Sequence, residues 1–276
     1  MQKFYKKKIF SFCKYHTRGN DFILLDDRDE KFPKEEKLFL KNLCNRNLGI
    51  GADGVILLQN SKFSNFLKFR IFNSDGSEAM SCGNGLACFV HFANKILNLK
   101  VSYIEKLKEN IFATIKDEKV FLEFPIPTIF EKFQKVQILD KNFEYFFLLA
   151  GVHHVVIFVE DLKNLDVYKY GREIRSLKKF MPHGTNVNFI KLDQNKLFIR
   201  TFEKGVENET FSCGTGAVAS AYIAKILKNF NGKFQIFSKI GVADVDFNYQ
   251  KKDVKSIIIG LKPNLIFSGR FDLKDF

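Results

Sequence analysis

The sequence predicts an α+β protein of two pseudo-symmetric lobes, each a strand-rich, barrel-like sheet around one central helix. Three observations carry this. The segments Ser81-Cys82-Gly83-Asn84-Gly85 and Ser212-Cys213-Gly214-Thr215-Gly216 share the pattern S-C-G-[NT]-G, and each opens a small, apolar, helix-like stretch. The strand-like runs around the first turn recur in the same order around the second. Pro125-Ile126-Pro127 lies between them, where consecutive X-Pro units favour an extended connection. The lobes are therefore expected at 1–126 and 127–265, with 266–276 available to return to the first.

In chain order, Phe22 to Leu25 reads as a strand, Asp26 to Asp29 as a polar loop and Lys34 to Cys44 as a helix. Val55 to Leu58 and Phe66 to Phe72 read as strands. Leu86 to Ala93 is small or apolar on every side, the signature of a buried helix. Strands follow at Val101 to Ile104, Ile111 to Ile115 and Val120 to Phe124. The second half gives strands at Val155 to Val159, Val187 to Leu192 and Leu197 to Phe202, then the matching helix at Ala217 to Leu227. Phe234 to Phe237, Val242 to Phe247 and Ile257 to Leu261 complete it.

An apolar content of 46% over 276 residues is ample for packed cores. No run of about 18 uncharged apolar residues is present, so no spanning helix and no membrane partner are expected. The basic start, Met1 to Lys8, leads into an apolar run broken by Lys14, His16 and Arg18, which reads as a ragged first strand and not a secretion signal. Five cysteines, an odd number, do not describe a disulfide scaffold and favour a reducing, cytoplasmic setting. The net charge of +13 raises nucleic acid as a partner. Its lysines are spread along the chain beside 33 Phe, as an AT-rich genome would produce, so no nucleic-acid partner is expected.

The two cysteine turns carry the chemistry. Glycines let the backbone approach a ligand, the first N–H groups of a helix point at an anion, and the positive helix end favours a thiolate. A thiol on each side of a carboxylate ligand is the layout needed to take a proton from one face of a carbon and return one to the other. Backbone donors at Gly83-Asn84 and Gly214-Thr215 would stabilise the intermediate carbanion. Cys13, Cys44 and Cys88 have no such context and read as small core residues. No metal-ligand spacing appears, and His153 and His154 would point to opposite faces of a strand, so no metal is expected. Gly49-Ile50-Gly51-Ala52-Asp53-Gly54 satisfies GxGxxG but follows a helix and enters a strand, the reverse of a dinucleotide loop.

Six segments together resemble the diaminopimelate epimerase family of cofactor-independent two-cysteine epimerases. They are Gly19-Asn20-Asp21-Phe22, Gly49 to Gly54, Phe72-Asn73-Ser74-Asp75-Gly76-Ser77, Cys82 to Gly85, Gly184-Thr185-Asn186-Val187-Asn188-Phe189 and Cys213 to Gly216. The resemblance covers nearly the whole chain. It implies epimerisation of LL- to meso-2,6-diaminoheptanedioate on the way to lysine and peptidoglycan, with a small amino acid as partner and a homodimer as assembly. Cys82 and Cys213 would be the acid and base, tuned by His154 and Glu203, and Asn20, Asn73, Asn186, Glu203 and Lys204 would contact substrate with the two cysteine turns.

The family often has Asn-Pro where this chain has Val152-His153, arginine where it has Lys204, and an arginine at the position of Ala87. Lysine lacks the bidentate fork that grips a carboxylate. Two alternatives follow: the same thiol chemistry on an altered or broader substrate such as glutamate, and a non-catalytic basic binding protein.

Overall fold

A computed structural model describes residues 7–63, 65–79, 82–106, 110–228 and 232–276. Met1 to Lys6, the start of the expected ragged strand, and Ser81 of the first cysteine turn lie outside the described residues. The chain forms two compact units, Met1–Leu122 with Leu261–Phe276, and Glu123–Gly260.

The first unit contains β1 (Ile9–Thr17), β2 (Asn20–Asp26), α1 (Lys37–Cys44), β3 (Gly54–Asn60), β4 (Phe66–Asn73), β5 (Glu78–Ala79), α2 (Gly83–Leu97), β6 (Val101–Glu105) and β7 (Asn110–Lys116). The strand β8 (Lys119–Pro125) follows. β1 and β2 pair antiparallel, β2 and β3 parallel, and β3 and β4 antiparallel. β4 then takes β5 antiparallel and β6 parallel, and β6 pairs antiparallel with β7.

The second unit repeats this connectivity. It contains β9 (Thr128–Ile138), β10 (Lys141–Ala150), β11 (Val152–Phe158), α3 (Val167–Arg175), β12 (Asn186–Asp193), β13 (Lys196–Glu203), β14 (Asn208–Thr210), α4 (Gly214–Lys228), β15 (Phe234–Phe237) and β16 (Val242–Gln250), followed by β17 (Asp253–Leu261). β10 and β11 pair antiparallel, β11 and β12 parallel, β12 and β13 antiparallel, and β13 takes β14 antiparallel and β15 parallel. β16 pairs antiparallel with both β15 and β17. The last strand, β18 (Asn264–Asp272), returns to the first unit and flanks β1 as β9 flanks β10.

The alternation of side chains explains how each sheet covers two helices. In the first unit, Ile23, Leu25, Val55, Leu57 and Phe72 pack on one face with Phe39, Leu40 and Leu43 of α1. The other face receives α2, whose Leu86, Ala87, Cys88, Phe89, Val90, Phe92 and Ala93 are all buried. In the second unit, Val155, Ile157, Val187, Phe189 and Phe202 pack with Val167, Tyr170 and Ile174 of α3. The opposite face receives α4. A strand covered on both faces is buried at almost every position, which is why β3 reads as a continuous apolar run over Val55 to Leu58.

Six of these elements have no strand or helix counterpart in the sequence reading: β5, β9, β10, α3, β14 and β18. The apolar positions of α3, Val167, Tyr170, Gly171 and Ile174, do follow helical spacing, but in a short and strongly basic segment. Strand β9 exposes Phe130 and Phe133, so its pattern has no buried face to announce it.

Candidate active site

In the first unit the tight turn at Arg18 and Gly19, with φ of 49° and 80°, has the two positive values of a type I′ hairpin and sets Asn20 at the head of β2. Cys82 is the N-cap of α2, extended at φ −151° and ψ 114°, and its Sγ accepts the Gly85 N–H at 3.3 Å. The thiol donates to Asn20 Oδ1 at 3.5 Å. The Asn20 amide is oriented from behind, because its Nδ2 donates to the Asp53 carboxylate at 2.7 Å. Arg46 bridges that carboxylate at 2.8 Å and grips Asp21 through two bonds of 3.0 and 2.7 Å. Lys14, nearly inaccessible, pairs with Asp21 at 2.8 Å and donates to the Gly51 carbonyl. Burial alone would raise the Asp21 carboxyl; the hydrogen bonds and charges of Arg46 and Lys14 outweigh it and hold the group well below the ordinary carboxylate range. The Gly49 to Gly54 loop therefore serves as scaffold, leaving α1 and entering β3 while its Asp53 orients Asn20.

Asn73 ends β4 opposite Gly54, exposed, with Nδ2 donating to Ser77 Oγ at 3.0 Å. Among the other cysteines, Cys88 is fully buried against Thr17 Oγ1 at 3.0 Å, and burial raises its thiol. Burial pushes Cys44 up to about 12, and Cys13 lies 3.3 Å from Ser268 Oγ. Neither raised thiol is suited to form a nucleophilic or basic thiolate near neutral pH.

In the second unit Cys213 precedes α4, and its Sγ accepts the Gly216 N–H at 3.4 Å. Thr215 Oγ1 lies 3.6 Å from that sulfur and 3.0 Å from His154 Nε2. His154 Nδ1 faces Asn188 Nδ2 at 3.0 Å; Asn188 also donates to the Val155 carbonyl at 2.9 Å and accepts from Thr201 Oγ1 at 3.0 Å. His154 is fully buried, and that desolvation, with the nearby positive charge of His153 and Lys204, lowers its pKa to about 3. Its neighbour His153 faces the other way and stacks on Phe147 at 5.4 Å.

Glu203, at the end of β13, is half-buried, and burial raises its carboxyl. Asn186 is buried with Oδ1 accepting the Lys204 N–H at 2.8 Å. The Lys204 ammonium donates to the His183 carbonyl at 2.9 Å. Arg175, tied to Glu207 at 3.1 Å, packs its guanidinium beside Gly184 and the Lys204 stem. Within this unit Cys213, Thr215 and His154 are therefore joined, whereas Lys204 contributes its backbone N–H to Asn186 and turns its charge to His183. Asn188, quoted within the Gly184 to Phe189 segment without a role, and Thr201, outside every motif, also belong to the cluster; a polar residue inside Val187-Asn188-Phe189-Ile190 is itself a signal.

No group of three His, Cys, Asp or Glu side chains among the described residues could hold a metal ion. What the arrangement offers is a sulfur at the start of a buried helix in each unit, with backbone N–H groups beside it.

The diaminopimelate epimerase profile matches residues 12–123 and 146–258. The diaminopimelate epimerase of Methanocella arvoryzae is 38% identical over 86% of this chain and 89% of its own. That of Aquifex aeolicus is 38% identical over 94% and 96%. The fold is shared more widely: a Bacillus anthracis phenazine biosynthesis protein of the PhzF family superimposes with a TM-score of 0.73 at 16% identity, over 96% of this chain and 99% of that one. Sequence identity over nearly full length, added to the duplicated cysteine-capped helices, places the chain in the diaminopimelate epimerase family.

Proposed function

We propose that this protein interconverts LL- and meso-2,6-diaminoheptanedioate by a two-thiol mechanism without a cofactor, in lysine precursor synthesis. Membership of the diaminopimelate epimerase family supports the reaction; the single observation supporting the mechanism is that both cysteines precede helices whose first N–H groups they accept. One cysteine, as thiolate, takes the α-proton; the electron pair left on carbon delocalises into the α-carboxylate, and the other cysteine, as thiol, returns its S–H proton to the opposite face. Gly83, Asn84, Gly214 and Thr215 hold that carboxylate through backbone N–H groups, a role in which loss of one donor typically costs about 3 kcal/mol. Asn20, Asn73 and Asn186 orient the amino acid, since an amide can donate to a carboxylate and accept from an ammonium. Glu203 and Lys204 complete the recognition of the substrate. A homodimer and a cytoplasmic location accompany this reading through the family resemblance, and light scattering tests the former.

The test is deuterium entry at the α-carbon in heavy water, with diaminopimelate and glutamate offered separately. Exchange and inversion on diaminopimelate are expected. Val152 and the Lys204–His183 contact favour a broader substrate as a second reading. Inversion of glutamate at a comparable kcat/KM would establish it, and inactivity on every amino acid would remove both.

A further inference from the structure

Equivalent sheet positions lie under the first turn of α2 and of α4, and the two units fill them with opposite chemistry. Ile56 and Ile71 form a cross-strand pair on β3 and β4; Asn188 and Thr201 form the corresponding pair on β12 and β13. A Cβ placed on Gly85 would meet the Ile71 and Ile56 methyls at 3.1 and 3.2 Å, whereas one on Gly216 would lie 2.3 Å from Asn188 Oδ1. An apolar floor is what a buried sheet face ordinarily supplies. A buried floor of His154, Asn188 and Thr201 needs a reason.

The hydrogen-bond directions supply it. A carbonyl oxygen only accepts, so the Asn188 atom facing Val155 O is Nδ2, and Oδ1 takes the Thr201 hydroxyl. The second hydrogen of Nδ2 then faces His154 Nδ1, which must present a lone pair. A neutral imidazole so held carries its proton on Nε2, aimed at Thr215 Oγ1. With that oxygen accepting, the single Thr215 hydroxyl proton is left for the sulfur of Cys213. We propose that Asn188 is a positioning residue that locks His154 in the Nε2–H tautomer, making His154 a fixed neutral donor, through Thr215, to Cys213. This rests on the two-thiol reading above and adds the direction in which the cluster acts: it supports a thiolate on Cys213 and accepts no proton from it. Full burial keeps the imidazole neutral, and the fields of His153 and Lys204 act in the same sense. Glu203, at the end of β13, has its carboxyl raised by burial. In the first unit the polarity is reversed, because Cys82 donates to an Asn20 oxygen whose orientation Asp53 sets.

Nitrogen-15 histidine NMR on the whole protein tests this directly, with His154 assigned by its loss in His154→Gln. The expected spectrum shows His154 as the Nε2–H tautomer with Nδ1 accepting a hydrogen bond, unchanged from about pH 5 to 9. An Nδ1–H tautomer, or an imidazolium forming in that range, overturns the proposal whatever the activity. Asn188→Asp replaces the donor by an acceptor and should switch His154 to Nδ1–H. Alkylation of Cys213 at pH 7 should then slow about tenfold, the equivalent of about one pH unit in the thiol. The value of kcat should fall at least as much while KM moves less than about twofold. Thr215→Ser should retain, and Thr215→Val lose, the fast alkylation; equal rates in the two count against the relay. If the wild type shows the expected tautomer but does not invert diaminopimelate, the functional reading fails and the lock stands; an active enzyme with the other tautomer sinks the lock alone.

Discussion

At the scale of the residue, the first unit invests a buried ion-pair network in the placement of one amide. Asp21→Asn leaves Lys14 buried without its partner, and breaking a buried pair in this way typically costs about 3–5 kcal/mol. Urea denaturation at neutral pH should show a loss of that order. Because the folded-state pKa of Asp21 is depressed, its contribution is fully present above the ordinary carboxylate pKa and is lost as pH falls through the folded value. The gap between wild type and Asp21→Asn should therefore narrow in strong acid and stay constant between pH 5 and 8. His154 has a consequence of the same sign from a different cause, its burial. Its folded pKa of about 3 lies below the ordinary 6.5, so the unfolded chain binds the extra proton between those values. Stability should fall as pH drops through that window, by about 1.4 kcal/mol per pH unit, and His154→Gln should remove that slope. A wild type and variant with parallel pH profiles from 6.5 down to 4 would show that the imidazole is not held neutral.

At the scale of the element, two helices of the same length begin in the same way on floors of different chemistry. Alanine is a better helix former than glycine by about 1 kcal/mol, so a substitution within α2 or α4 is judged by what the new methyl meets. In Gly85→Ala it meets the mobile ends of two isoleucines, and the change in stability should be within about 1 kcal/mol of zero. In Gly216→Ala it overlaps the Asn188 amide oxygen, a buried group already bonded to Thr201, and a loss of about 2–4 kcal/mol is expected from overpacking and a broken hydrogen bond together. Thermal denaturation of the two variants decides this; equal losses would contradict the floor asymmetry. Much of the element layout was legible in the sequence, because buried strands such as Val55 to Leu58 and helices such as Leu86 to Ala93 show their burial as unbroken apolar runs. Strands β9 and β10 were not, since an exposed Phe130 or Phe133 carries the same letter as a core phenylalanine. At the site, Cys82 and Cys213 stand out through their glycines. Thr201 lies in no motif, and Asn188 lies in one that does not reveal its role, because that role depends on cross-strand register.

At the scale of the whole molecule, the duplication gives each unit one helix-capping cysteine, and the proposed reaction requires both. Cys82→Ala and Cys213→Ala should each reduce epimerisation by about 10³-fold or more, consistent with removal of a proton-transfer group from a chemical step that needs two. Retention of full activity in either variant would end the two-base account. The most direct measurement is the early time course in heavy water with LL-diaminopimelate, in which substrate and product are separated and the deuterium at the inverted carbon of each is counted. A thiol carries one exchangeable proton, so the product formed through two cysteines takes its new hydrogen from a solvent-equilibrated group while the proton removed stays on the other sulfur. The account predicts deuterium in meso product from the first turnover and almost none in recovered LL substrate. Product that retains the original proton, or substrate that gains deuterium as fast as product forms, would show a single base serving both faces and would contradict it.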